Sequence, residues 1–95
     1  MRFVWDNNKS AANKAKHGID FETAKIVFDD SLALSRRDIY PYEERWQTIG
    51  NISYATILVI HAIIEKDADN EEIIRIISAR KATAAERRAY EEGDF

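Results

Sequence analysis

Tyr54-Ala55-Thr56-Ile57-Leu58-Val59-Ile60-His61-Ala62-Ile63-Ile64 is apolar at odd and even positions alike, apart from Thr56 and His61. A strand with one wet face alternates, whereas one covered on both faces does not. The stretch therefore predicts a central strand. Its apolar part, Ala55 to Ile64, is far short of the ~20 residues that cross a bilayer.

Working outward, the acidic, Asn-containing segment Lys66 to Glu72 is expected to turn the chain into another strand, Ile73 to Ala79. Upstream, Arg45 to Ile49 reads as a strand closed by a turn at Gly50-Asn51, and Leu32 to Arg37 as a possible strand. Asp38 to Glu43, with the only proline, Pro41, is a loop between them. At the N-terminus Phe3 to Trp5 reads as a short strand. Asp6 is placed to cap a helix over Asn7 to Lys16 that Gly18 closes, and Asp20 to cap a second helix with an apolar face of Phe21, Ala24, Val27 and Phe28. Thr83-Ala84-Ala85-Glu86 has the spacing of a capping box, with Gly93 as the stop. The expected order is βααββββα: an α+β domain with an antiparallel sheet packed against short helices.

A chain of 95 residues, 45% hydrophobic, fits a single domain over residues 1–95. The absence of cysteine excludes disulfides and thiolate zinc sites and suits a reducing cytoplasm. The first residues lack the apolar core of a signal peptide, so neither secretion nor membrane insertion is expected. The net charge of -3 hides a segregation: residues 1–28 carry +2, 29–74 carry -6, 75–90 carry +4 and 91–95 carry -3. A basic cleft joining the first and third segments can hold phosphate despite the acidic middle, because screening acts over about 8 to 10 Å.

Several residues resemble a known pattern: Trp5-Asp6, Lys9, Asn13, Lys16-His17-Gly18, Phe28-Asp29-Asp30, Glu44-Arg45-Trp46, Gly50, Arg75-Ile76-Ile77-Ser78-Ala79-Arg80 and Glu86-Arg87-Arg88-Ala89-Tyr90. Together and in this order they resemble the BrnT family of bacterial toxins, nearly end to end from Phe3 to Glu92. The resemblance implies a RelE-like fold and metal-independent ribonuclease activity without a cofactor. It also implies neutralisation by a BrnA-like ribbon-helix-helix antitoxin, whose complex binds the promoter DNA. One departure is Ala62-Ile63-Ile64, where many members carry threonine and then polar, aromatic or basic residues.

RNA can be cut when its own 2'-hydroxyl attacks the adjacent phosphorus, given a base, an acid and cations around the phosphorane. Arg75 and Arg80 are the candidates for holding the phosphate, since guanidinium pairs with it in parallel hydrogen bonds. Odd and even residues face opposite ways along a strand, so the pair needs a bulge or a strand that stops first, and the strand is expected to end near Ala79. Arg45 is a third candidate. Lys16 and His17 are candidates for proton transfer or phosphate contact, and Lys9, Lys81 and Trp46 for RNA binding.

Plainer roles fit the same residues. Lys16 and His17 can complement a helix dipole, and Arg75 and Arg45 can bond Glu43, Glu44 or Glu72 across the sheet. His61 fits a hydrogen-bonded core, and Arg87-Arg88 a solvated face or an antitoxin contact. A second function is a module that docks an antitoxin or regulator without cutting RNA, favoured by the acidic balance and by Ala62-Ile63-Ile64.

Overall fold

The computed structural model describes residues 1–66 and 68–95. In chain order the elements are β1 (Arg2–Val4), α1 (Asn7–His17), α2 (Phe21–Ala24) followed by a 3-10 helix (Lys25–Asp29), β2 (Leu34–Arg37), β3 (Trp46–Ile52), β4 (Ala55–Lys66), β5 (Glu72–Lys81) and α3 (Ala84–Glu92). The order is the expected βααββββα, and the class is α+β. The strands form one sheet ordered β1-β5-β4-β3-β2. β2 to β5 are an antiparallel meander, while β1 joins the open side of β5 in parallel, with Val4 opposite Arg75. A parallel pair needs a crossover, and α1 and α2 lie within it.

Local chemistry sets the helix ends. The Asp6 carboxylate accepts from the amides of Asn8 and Lys9, and Gly18 closes α1 at φ 76°. Asp20 accepts from Thr23 to start α2. The continuous second helix expected through Phe28 is not formed: after Ala24 the chain tightens into the 3-10 helix. Phe21, Ala24 and Val27 are nonetheless fully buried, packing with Ile19, Ile57, Val59, Ile76 and Ala79 as the core on one face of the sheet.

α1 docks through polar groups. Its buried residues are Ser10 and Asn13. The Ser10 hydroxyl accepts from the Phe21 amide at 2.9 Å. Asn13 donates to the carbonyls of Ile19 and Ala79 at 2.7 and 2.8 Å and accepts from the Ala79 amide at 3.3 Å. Its side-chain amide thus substitutes for a neighbouring strand where β1 has already ended.

Three local expectations need correction. Gly50-Asn51 is not a turn: β3 runs on to Ile52, and the chain reverses at Ser53 and Tyr54, with Ser53 at φ 54°. Gly50 instead lets Val27 approach, since a Cβ there would sit 3.1 Å from both Val27 Cγ1 and Val27 O. The segment Lys66 to Glu72 is shorter as a connection than expected, because Lys66 ends β4 and Glu72 begins β5; Asp67 within it lies outside the described residues.

β5, finally, does not stop near Ala79 but continues to Lys81. Its register slips where Ser78 pairs with Ile60 and Ile76 with His61, which leaves Ile77 as a bulge. A second slip leaves Ile64 unpaired on β4. Among the described residues no helix is long and apolar enough to cross a membrane.

Candidate functional site

The bulge at Ile77 sorts the charged side chains. Before it Arg75 pairs with Ala62, and after it Ser78 and Arg80 pair with Ile60 and Leu58. Those partners alternate along β4, so Arg75, Ser78 and Arg80 share the face opposite Ile76 and Ala79. Arg75 and Arg80 are four β4 residues apart in register, or roughly 13 Å. They share a face but do not fork a single phosphate.

Arg75 and Arg45 do converge. Glu43, in the loop before β3, accepts on one oxygen from Arg75 Nη2 at 2.5 Å and from Arg45 Nε at 2.8 Å. To reach Glu43 from β5 the Arg75 side chain must cross β4, and the residue opposite it is the small Ala62. The hydrogen bond from Arg45, reinforced by the charge of Arg75, holds the Glu43 carboxyl below its ordinary range against a smaller opposing effect of burial. Glu43 is therefore ionised at neutral pH, and the three groups together carry one positive charge. The cluster is part-buried, with side-chain exposures of 21% at Arg45, 34% at Glu43 and 40% at Arg75. On its outer side the Arg45 guanidinium stacks 3.7 Å from the Tyr40 ring centroid.

Arg80 meets its own acid. Its guanidinium donates twice to Glu86 at the start of α3. Glu86 also accepts from the Thr83 amide while Thr83 Oγ1 accepts from the Glu86 amide, completing the expected capping box. The Arg80 bonds, with help from Thr83, lower the Glu86 carboxyl to about 2.

The remaining candidates lie elsewhere. Lys9 and Lys16 are exposed on α1, and His17, half-buried, is its last residue. No hydrogen bond among the described residues links α1 to the Glu43 cluster. Lys81 pairs with Ile57 on the core face and lines a hollow of about 220 Å³ with Arg87. Trp46 and His61 pair across the core face and line an apolar pocket of about 230 Å³ with Phe28, Thr48, Ile63 and Ile74. His61, 4% exposed, bonds Thr48 Oγ1 through Nε2 at 2.7 Å, and Thr48 in turn bonds Ser35. Burial lowers its pKa to about 4. His61 therefore stays neutral at physiological pH in a mostly apolar setting. Among the described residues, no three His, Asp or Glu side chains cluster as metal ligands do.

Two residues that sequence reasoning did not single out flank the cluster: Tyr40 and Tyr42, in the loop read only as a connection. An aromatic on each side of a proline was the available signal. The departure at 62 to 64 divides in space: Ala62 underlies Arg75, Ile63 lines the His61 pocket, and Ile64 is the β4 bulge.

Over residues 5–86 the chain matches the family described as ribonuclease toxin, BrnT, of type II toxin-antitoxin system. No curated protein matches it.

Proposed function

Because the chain belongs to the BrnT family of ribonuclease toxins of type II toxin-antitoxin systems, we propose that it is an endoribonuclease that cuts RNA without metal, with the Arg45-Glu43-Arg75 cluster as its centre. The observation carrying this reading is that two guanidiniums from separate parts of the chain aim at one carboxylate oxygen at a part-buried position that solvent still reaches. That oxygen marks where a phosphate oxygen would be held, and each arginine keeps further N–H donors for the charge that grows on the phosphorane.

In this reading the 2'-hydroxyl attacks the adjacent phosphorus, the bond from phosphorus to the 5'-oxygen breaks, and the products are a 2',3'-cyclic phosphate and a 5'-hydroxyl. Glu43 is the base that takes the hydroxyl proton. Its lowered pKa makes it a weak base in the free protein, but an arriving phosphate adds negative charge beside it and draws its arginine partners away, both of which raise the pKa. Arg80, Lys9, Lys16, His17, Lys81 and Trp46 are assigned to flanking RNA, and the leaving 5'-oxygen takes its proton from water. A type II toxin is paired with an antitoxin; we assign a ribbon-helix-helix protein of the BrnA kind, whose complex with this chain would bind promoter DNA.

The test is incubation of antitoxin-free protein with a defined RNA in EDTA, with the product ends mapped. Cyclic phosphate and 5'-hydroxyl ends, lost in Arg75→Ala at unchanged folding, are expected. Intact RNA with well-folded wild-type protein would refute the nuclease. A second reading, an antitoxin-docking module without activity, draws on the fact that Arg45, Arg75 and Arg80 each already hold a carboxylate. Intact RNA together with a tight antitoxin complex is its signature.

A further inference from the structure

We infer that the β2–β3 loop is a base-stacking platform for single-stranded RNA, with Tyr42 receiving a nucleobase next to the phosphate at Arg45 and Arg75. This rests on the nuclease reading for the identity of the site and adds what grips the substrate there.

The loop exposes apolar surface that folding does not require. Ile39 is 96% exposed and Tyr42 85%. Water disfavours such display, and an exposed cluster of this kind marks a contact surface.

The loop is nonetheless braced. The Asp38 amide donates to the Arg45 carbonyl at 2.8 Å, closing its base. The Asp38 carboxylate accepts from the Tyr40 amide at 3.1 Å and from Gln47 Nε2 at 2.7 Å. Pro41 fixes its own φ and confines Tyr40 to extended backbone. Glu43 then ties the outgoing end to Arg45 and Arg75.

Within this frame the rings are ordered as a step. The Arg45 guanidinium lies against Tyr40, and Tyr40 meets Tyr42 edge-on, with centroids 5.5 Å apart and planes at 75°. Tyr42 is left with the most open ring, at the end of a series that begins at the paired arginines.

Charge and ring together select the occupant. A protein partner needs apolar area but no cations at its root, and duplex nucleic acid keeps its bases stacked on one another. A single strand offers both a phosphate for the arginines and an open π-face for Tyr42, and stacking of this sort is tolerant of sequence.

The experiment measures affinity for a short fluorescent 2'-O-methyl RNA, which cannot be cut because it lacks the attacking hydroxyl, and for an abasic strand of equal charge. Tyr42→Ala should weaken binding of the first about tenfold and leave the second unchanged, with Tyr42→Trp restoring affinity. Arg75→Ala should weaken both and make the salt dependence shallower by about one ion.

Equal affinity of wild type and Tyr42→Ala, or equal losses on both strands, would overturn the inference. So would a Tyr42→Ala defect confined to binding of the purified antitoxin. Since the probe is never cut, the two readings fail separately. Tyr42-dependent binding by a protein that leaves ordinary RNA intact would remove the nuclease alone, whereas cleaving protein with Tyr42-independent binding would remove the platform alone.

Discussion

Arg80 and Glu86 are joined by two parallel hydrogen bonds, 2.7 Å from Nη1 to Oε1 and 3.0 Å from Nη2 to Oε2, so the end of β5 is clamped to the first turn of α3. Arg80→Ala should lower stability by about 1 kcal/mol once partial exposure is discounted, and it should lower α3 protection in hydrogen exchange. The Glu86 carboxyl has a folded pKa of about 2 against an ordinary 4.5, chiefly because of Arg80. Its contribution is therefore complete above pH 4.5 and lost as pH falls towards 2, a window that Arg80→Ala should flatten in acid denaturation.

Glu43→Gln separates binding from chemistry. Removing the negative charge between Arg45 and Arg75 should tighten RNA binding several-fold at low salt, while loss of the base should cut cleavage by about 100-fold or more. Measured binding and single-turnover rates that both stay at wild-type values would exclude Glu43 from the reaction.

Asn13→Ala should destabilise by about 2 to 3 kcal/mol, since it strands both backbone groups of Ala79 and the carbonyl of Ile19 in a buried setting. Urea denaturation provides the value. Asn13→Asp, which replaces the donor facing two carbonyls with an acceptor, should be no better.

His61 makes stability fall in mild acid. Its pKa is about 4 in the folded chain against 6.5. Between those values the unfolded chain takes up a proton that the folded one does not, so stability is flat above about 6.5 and declines by roughly 2 to 3 kcal/mol as pH drops to 4. In urea titrations from pH 7 to 4.5, His61→Gln should lose this slope. A slope retained in the variant would assign it to another group.

Gly50→Ala should cost about 1 to 2 kcal/mol in thermal or urea unfolding, because the added methyl presses on the Val27 side chain and carbonyl and lies 3.2 Å from Asp30 Oδ2. A smaller cost of Gly50→Ala in a Val27→Ala background than in the wild type would locate the side-chain part of the pressure.

Gly50 also illustrates what a sequence conceals. Gly-Asn reads as a turn, yet the glycine answers to Val27, which is distant in the chain. Features with local causes were legible: the Asp6, Asp20 and Thr83 caps, the αL stops at Gly18 and Gly93, and the central β4, whose apolar pattern needs no partner to be recognised. The inward face of α1 was not, because Ser10 and Asn13 resemble solvent-facing residues until the Ala79 edge is placed beside them. At the candidate site the arginines were visible, and Glu43 stood among several acids that could pair with them. The choice among those acids depended on Arg75 crossing Ala62. The partition of Lys16 and His17 from Arg75 likewise depended on α1 docking at β5, which no pattern along one strand encodes.

The unpaired Ile77 decides which way the end of β5 faces. Were Ile77 taken into a regular ladder instead, every later residue would change face: Arg80 would turn inward where Ala79 now packs, and Ala79 would move to the opposite face. A single-codon deletion of Ile77 would by the same geometry remove only the bulge, with Ser78, Ala79 and Arg80 keeping their partners on β4 and the α3 clamp its anchor.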